Sequence, residues 1–121
     1  MTEKPNILIV DDEVGPREAL RMILKHSYNV FTAEDGYKAL EIIKQTPIDL
    51  ITLDLNMPGL TGMEVLKEVR DTNKDIQVVI ITAFGSIGAV TAANNYGFCD
   101  FISKPFDVSE VTMAVQKSLD G

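Results

Sequence analysis

NILIVDD, at residues 6–12, decides the fold, because a short continuous apolar run there ends abruptly in two aspartates. The stretches DLITLD at residues 49–54 and QVVIIT at residues 77–82 have the same form, an apolar run that closes on a polar residue. Apolar runs this short and this rich in β-branched residues are typical of buried parallel strands. With two weaker candidates, Tyr28–Thr32 and Phe98–Ser103, they give five predicted strands.

Helical patterns lie between the predicted strands. Apolar residues fall on one stripe of a helix in Arg17–Lys25 and again in Ala39–Ile43. Pro16 suits the first position of the earlier helix, and the spacing of a capping box occurs at Thr61–Glu64 and at Asp107–Glu110. Strand and helix alternate five times, which predicts an α/β fold with a parallel sheet between layers of helices.

Composition narrows the functional class. The 121 residues, 45% apolar and 24% charged, are expected to form one domain over residues 1–121. The net charge of −7 is spread along the chain and disfavours direct nucleic-acid binding, because an acidic surface repels a phosphate backbone. No apolar run is long enough to span a membrane, nothing at residues 1–5 predicts a signal peptide, and a single cysteine suits a reducing compartment. A cytoplasmic location without membrane contact is therefore expected.

Polar residues with related chemistry stand at the ends of four of the five predicted strands. Asp11 and Asp12 follow the first strand, Asp54 ends the third, Thr82 ends the fourth, and Lys104 follows the fifth. Ligands of open α/β sheets bind outside the carboxyl ends of the strands, and neighbouring carboxylates repel one another unless a cation lies among them. Oxygen donors without histidine or cysteine favour Mg²⁺. A carboxylate beside Mg²⁺ can attack a phosphoryl group, and an ammonium and a hydroxyl can stabilise the added charge.

Each of these residues alone has a simpler explanation. A single aspartate after a strand more often caps a helix or forms a turn than binds a metal ion, and a lone threonine or lysine is less informative still. The joint arrangement supports the prediction, because the required side chains occur together and in the required order.

Four motifs resemble the signature blocks of bacterial response-regulator receiver domains, in the family's order and over essentially the whole chain. They are VDDE at residues 10–13, LDLNMPG at residues 53–59, ITA at residues 81–83 and SKPF at residues 103–106. The resemblance implies a doubly wound, flavodoxin-like (βα)₅ fold with strand order 2-1-3-4-5. It also implies a phosphorylation-activated switch of a two-component system, which catalyses only its own phosphorylation and dephosphorylation.

By the same resemblance, Asp54 is the phospho-acceptor and takes its phosphoryl group from a sensor histidine kinase. Asp12 and Asp54 would bind Mg²⁺ through their side chains and Asn56 through its backbone carbonyl. Asp11 would act mainly through water.

The resemblance also implies which residues sense the phosphoryl group. Thr82 would bond a phosphoryl oxygen, and Lys104 would pair with the group's charge. Phe101 lies three residues before the lysine, at the family's switch aromatic, and we expect it to turn inward as Thr82 moves; plain strand packing is the alternative. The Lys104–Pro105 peptide bond is expected to be cis.

Two features are particular to this chain. Phe84 stands where hydrolytic water approaches in the family, and an aromatic side chain there is expected to prolong the phosphorylated state; packing at a helix entry is the alternative. The predicted fourth helix, roughly Ser86–Tyr96, contains no charged residue. With the strand and helix after it, it is expected to form the output face and to support a phosphorylation-dependent homodimer; an ordinary buried helix is the alternative. TAFGSI at residues 82–87 is similar to receivers of sigma-54-dependent enhancer-binding transcription regulators.

Three other functions are alternatives to the switch. A phosphatase with a nucleophile at a strand end would need a second aspartate at the position of Asn56, which cannot donate a carboxyl proton. A flavin-binding electron carrier would need a loop rich in Ser, Thr or Gly where the chain has DDE at residues 11–13. A receiver-like interaction module that is never phosphorylated is the alternative that the motifs disfavour without excluding.

Overall fold

The computed structural model describes residues 3–72, 75–83, 87–98 and 100–120 of the chain, and the side chains of residues 87–90 are not described. Within these ranges, five strands alternate with five helices. The strands are β1 (Asn6–Val10), β2 (Asn29–Ala33), β3 (Leu50–Leu53), β4 (Gln77–Thr82) and β5 (Asp100–Ser103). The helices are α1 (Val14–Leu24), α2 (Gly36–Gln45), α3 (Gly62–Thr72), α4 (Ile87–Asn94) and α5 (Val108–Asp120). The predicted α/β alternation is confirmed.

The five strands form one parallel sheet in the order β2-β1-β3-β4-β5, as predicted. The register brings the strands to a common carboxyl edge, where Val10 pairs with both Ala33 and Leu53. Farther along the same edge, Thr82 pairs with Ser103. Residues that follow these positions are therefore neighbours in space although they are far apart in sequence.

Both faces of the sheet are covered, which explains why its strands are continuously apolar. In β1, Leu8 and Val10 face a cluster that includes side chains of α2, α3 and α4. Ile7 and Ile9 face a second cluster, built with α1 and α5. Burial of each large aliphatic side chain contributes about 1.5–3 kcal/mol, so the two clusters hold the helices firmly on the sheet.

Element ends differ slightly from the sequence prediction. β2 begins and ends one residue later than Tyr28–Thr32, and β5 begins at Asp100 instead of Phe98. α4 ends at Asn94, short of the predicted Tyr96. The reason is a closing turn, in which Gly97, with φ +88°, donates from its N–H to carbonyls of the last helical turn. A positive φ suits glycine and ends a helix in the usual way.

The prediction that Pro16 occupies the first helical position is wrong. α1 begins at Val14, so that Pro16 is its third residue. Proline is accommodated there because the N–H groups of a helix's first turn have no intrahelical partner.

Both predicted capping boxes are confirmed. The N–H of Thr61 donates to Oε1 of Glu64 at 3.0 Å, and the N–H of Glu64 donates to Oγ1 of Thr61 at 3.2 Å. At α5, the N–H of Asp107 donates to Oε1 of Glu110 at 3.2 Å, and the reciprocal bond is 2.8 Å long. The first box fixes the start of α3, whose Gly62 packs so closely that a Cβ there would overlap the carbonyl of Asp54.

Candidate functional site

Four of the residues predicted to meet at the strand ends do meet there. Asp11 follows β1 and donates its N–H to the carbonyl of Ala33, while Asp54 follows β3 and donates its N–H to Val10. Thr82 is the last residue of β4, and the N–H of Lys104 donates to its carbonyl at 2.9 Å. These backbone bonds extend the sheet by one residue and fix the Cα positions of the site.

The carboxylate of Asp54 lies at the centre of the site, and the residue is only 3% exposed. Its Oδ1 accepts hydrogen bonds from the N–H of Asn56 at 2.9 Å and from the hydroxyl of Thr82 at 3.0 Å. Its Oδ2 accepts from Nζ of Lys104 at 2.9 Å. Both oxygens therefore have a donor, and all three donors belong to residues predicted for this site, although Asn56 donates with its N–H.

Lys104 supplies the cation among the acidic side chains. Its Nζ lies 2.8 Å from Oδ2 of Asp11, 2.9 Å from Oδ2 of Asp54 and 3.3 Å from Oε1 of Glu13. Burial lowers the pKa of Lys104, but hydrogen bonds to Asp11 and Asp54 outweigh that effect and raise the pKa well above its ordinary value. The ammonium is therefore charged over the whole physiological range.

Asp11 is buried, whereas its neighbour Asp12 is exposed. Burial raises the pKa of Asp11 above its ordinary 3.8, although hydrogen bonds from Lys104 and from the N–H of Glu13 act in the opposite direction. The N–H of Glu13 donates to Oδ1 of Asp11 at 2.9 Å, and Arg17 donates to the Asp11 carbonyl at 2.9 Å. The loop after β1 is thus built around Asp11.

The sequence interpretation gave Glu13 no role, yet its side chain contacts Lys104. The available signal was the run of three acidic residues at positions 11–13. Nothing in that run says which of the three carboxylates would turn toward a lysine 91 residues further along the chain.

The acidic side chains fit a hard divalent cation. Carboxylate oxygens of Asp11, Asp12, Glu13 and Asp54 all lie within 4.8 Å of one another. An oxygen-only donor set of this kind suits Mg²⁺ better than a softer transition metal. The predicted part of the Asn56 carbonyl in metal binding stays a prediction, since the hydrogen bond described for that residue uses its N–H.

The other predicted positions have mixed outcomes. Phe101 is half-buried against the cluster under α2, α3 and α4, and its inward turn stays a prediction. The Lys104–Pro105 peptide bond is cis, as predicted. Phe84 and Ser86 lie outside the described residues. Charged residues are absent from both end turns of α4, in line with the neutral helix seen in the sequence.

Comparison with known proteins identifies the class that this fold and site define. The family profile described as the response regulator receiver domain matches residues 7–116. The chain therefore belongs to that family: it is a receiver domain of two-component response regulators. Receiver domains are signalling switches, in agreement with the function expected from the motifs.

Two relatives differ in how much of their own length this chain matches. Sporulation initiation phosphotransferase F of Bacillus subtilis (strain 168) is 38% identical over 120 residues, which are 98% of this chain and 95% of that protein. Response regulator MprA of Mycobacterium sp. (strain KMS) is 38% identical over 106 residues, 87% of this chain but only 46% of its own length. The chain thus spans about half of that second relative.

A solved structure confirms the fold independently. The Vibrio cholerae chemotaxis protein CheY4 superposes with a TM-score of 0.91 at 29% identity, over 96% of this chain and 99% of that one. In the part of the chain that the structure describes, no helix is both long and apolar enough to cross a membrane.

Proposed function

We propose that this chain is a phosphorylation-activated switch whose Asp54 accepts a phosphoryl group from a sensor histidine kinase. The observation that carries the proposal is the surroundings of the Asp54 carboxylate. It is buried at the carboxyl edge of the sheet and held by an ammonium, a hydroxyl and a backbone N–H. These three donors are what an acyl phosphate at the same position would need, because they can stabilise added negative charge.

The proposed reaction is a transfer between two residues. A carboxylate oxygen of Asp54 attacks the phosphorus of a phosphohistidine, and a P–O bond forms as the P–N bond breaks. The electron pair of the broken bond leaves with the imidazole. Lys104 then pairs with the transferred group, and the hydroxyl of Thr82 donates to one of its oxygens. Hydrolysis by water later restores the carboxylate, so that the chain catalyses only its own phosphorylation and dephosphorylation.

Mg²⁺ is the proposed cofactor of this site. Asp12 and Asp54 would bind it through their side chains and Asn56 through its backbone carbonyl, with Asp11 acting through water. When bound, Mg²⁺ neutralises charge on the phosphoryl oxygens and orients them toward the attacking carboxylate. The closeness of the carboxylate oxygens supports this assignment.

Beyond the site, we propose that movement of Thr82 is followed by Phe101, and that the face formed by α4, β5 and α5 carries the signal. That face would contact an effector or a second, phosphorylated copy of the chain. The structure supports the route in part: the last residue of β4 is hydrogen-bonded to Asp54, and Phe101 lies on the adjacent strand. Because the change selects between existing states, it requires only a difference in their stability.

The setting of the domain is also a proposal. We propose that residues 1–121 act as a single receiver domain in the cytoplasm, without direct contact to nucleic acid or membrane. The similarity of TAFGSI to receivers of sigma-54-dependent transcription regulators fits a whole protein that regulates transcription.

Intact-protein mass spectrometry tests the proposed function. The protein is incubated with a small phosphodonor and Mg²⁺, beside Asp54→Asn and a chelator control. Asp71→Asn is the matched variant, because Asp71 is exposed on α3 and carries the same charge. One added phosphoryl group in the wild type and in Asp71→Asn, but not in Asp54→Asn or with chelator, is expected. A well-folded wild type that gains no phosphoryl group would favour the interaction module instead.

A further inference from the structure

The starting observation is the unusual position of Glu13 at the beginning of α1. Glu13 is the N-cap residue, with φ −92° and ψ 129°, but its side chain makes no capping hydrogen bond. An N-cap side chain ordinarily accepts from the N–H of the second or third helical residue. Here the third residue is Pro16, which has no N–H. The Glu13 carboxylate instead contacts Nζ of Lys104.

The backbone of Glu13 is held firmly while its side chain is exposed. Its N–H donates to Oδ1 of Asp11, and its carbonyl accepts from the N–H of Arg17. The side chain is 61% exposed, whereas the side chain of Lys104 is 9% exposed. Glu13 therefore lies at the solvent side of the lysine, at the mouth of the site, and only its side chain has to turn for the contact to break.

The number of donors on Lys104 makes this contact significant. A lysine ammonium has three N–H donors, and three carboxylates, those of Asp11, Asp54 and Glu13, contact it. If Lys104 keeps its bond to the Asp54 carboxyl, a phosphoryl group there can gain a bond from Lys104 only if the contact with Asp11 or with Glu13 is lost. The Glu13 contact is the longest of the three, at 3.3 Å, and the most exposed.

We propose that Glu13 is a positioning residue, the exchangeable partner that holds the Lys104 ammonium until a phosphoryl group takes its place. The inference rests on the proposed function. Glu13 and the phosphoryl group compete for the same donor, so loss of the Glu13 contact leaves Lys104 more available to the phosphoryl group. Exposed ion pairs are weak. We therefore expect loss of the Glu13 contact to change the affinity of the site for a phosphoryl group or its mimic by about two- to fivefold.

Beryllium fluoride, a phosphoryl mimic, gives a binding readout for this competition. Its dissociation constant is measured at saturating Mg²⁺ by amide chemical-shift titration, with Mg²⁺ titrated alone first for each protein to establish saturation. Glu13→Gln removes the charge, and Glu13→Asp keeps the charge but shortens the side chain. Glu68→Gln, at an exposed position of α3, is the matched control.

Both Glu13 variants are expected to bind the mimic about two- to fivefold more tightly than the wild type, and Glu68→Gln is expected to bind it equally. If Glu13→Asp binds like the wild type, the effect comes from charge at the mouth of the site, and the positioning role is overturned. Unchanged or weaker binding in both Glu13 variants also overturns it. A wild type that binds no beryllium fluoride and gains no phosphoryl group would instead overturn the proposed function, and this inference with it.

Discussion

The hydroxyl of Thr82 donates to Oδ1 of Asp54 over 3.0 Å, across 28 residues of sequence. Both residues are almost completely buried, and they lie at the carboxyl ends of neighbouring strands, Asp54 directly after β3 and Thr82 as the last residue of β4. The same oxygen accepts a hydrogen bond from the N–H of Asn56, so both the local backbone and the hydroxyl of a distant residue hold it in place. The bond joins the acceptor carboxylate to the end of β4, through which the output face would respond.

Thr82→Ala should therefore separate acceptance of the phosphoryl group from its transmission. We expect the variant to be phosphorylated by a small donor, with smaller amide chemical-shift changes in β5 than the wild type shows. Loss of the hydroxyl and the buried methyl should also lower the free energy of unfolding by about 1–2 kcal/mol, measured in urea. Thr82→Ser keeps the hydroxyl and should keep the β5 response. Equal responses in the Ala and Ser variants would show that the hydroxyl does not transmit the change.

Asp11→Asn is expected to stabilise the protein when no divalent cation is present. Because burial raises the pKa of Asp11, the folded protein binds that proton more tightly than the unfolded chain does. Stability from this group is complete below the ordinary pKa of 3.8 and is lost as the pH rises through the higher folded value. The variant should therefore be more stable than the wild type at pH 7.

Urea unfolding at a series of pH values, in the presence of chelator, checks this expectation. The advantage of Asp11→Asn should shrink as the pH falls toward 3.8. Asp71→Asn, an exposed substitution with the same charge change, serves as the control. An advantage that is the same at pH 4 and pH 7, or no advantage at all, would contradict the assignment of the cost to ionised Asp11.

Thr52→Val should also stabilise the protein. Thr52 is 1% exposed, and its hydroxyl has no hydrogen-bond partner among the described residues. Its strand neighbours are Ile9 and Val79, both in the cluster under α1 and α5. Replacement of the unpaired hydroxyl by a methyl group should raise the free energy of unfolding by about 1 kcal/mol. Thr52→Ser keeps the hydroxyl and loses the methyl, so its unfolding midpoint should fall; a fall for Val as well would contradict the account.

Arg70 joins three segments at the opposite edge of the sheet from Asp54. Its Nε donates to the carbonyl of Tyr96 at 3.0 Å, and its Nη2 donates to the carbonyl of Gly97 at 3.0 Å. Its Nη1 donates to the carbonyl of Ile76, just before β4. The guanidinium of α3 thereby binds carbonyls that follow α4, where a positive charge also interacts favourably with the helix dipole.

Arg70→Lys should loosen this end of α4, because an ammonium cannot reproduce the planar fork of a guanidinium. We expect the free energy of unfolding to fall by about 1–3 kcal/mol and the amides of Tyr96 and Gly97 to exchange faster with solvent. Arg21→Lys is the control, since Arg21 makes an exposed ion pair with Glu18, and its loss should change stability by less than about 1 kcal/mol. Equal effects of the two substitutions would argue against the bridging role of Arg70.

Most of the architecture could be predicted, because its signals are local. Asn6–Val10 and Gln77–Thr82 have the same limits in the structure as in the sequence interpretation, since an abrupt change from apolar to polar residues marks where burial ends. The common carboxyl edge follows from parallel strands alone. That rule alone predicts that Asp11, Asp54 and Lys104 lie close together.

The parts that could not be predicted depend on where long side chains turn. The hydrogen bonds from Arg70 to the carbonyls of Tyr96 and Gly97 leave no pattern in the sequence, because every residue has a backbone carbonyl that can accept one. The contact from Glu13 to Lys104 could not be predicted for the same reason, because the partner of a flexible carboxylate depends on which side chains the tertiary structure places nearby. Helix ends such as that of α4 were misplaced by a residue or two for a related reason, since propensity alone does not locate a closing turn.

Both oxygens of Asp54 accept hydrogen bonds in the structure. An acyl phosphate at either oxygen therefore changes the surroundings of a donor that helps to define the unmodified protein. A substitution at a residue that is hydrogen-bonded to this carboxylate is therefore expected to change both the lifetime of the phosphorylated state and the structure of the unphosphorylated one. Selection or engineering that adjusts the duration of a signal, while leaving its resting form intact, would have to act on side chains that approach Asp54 without bonding to it.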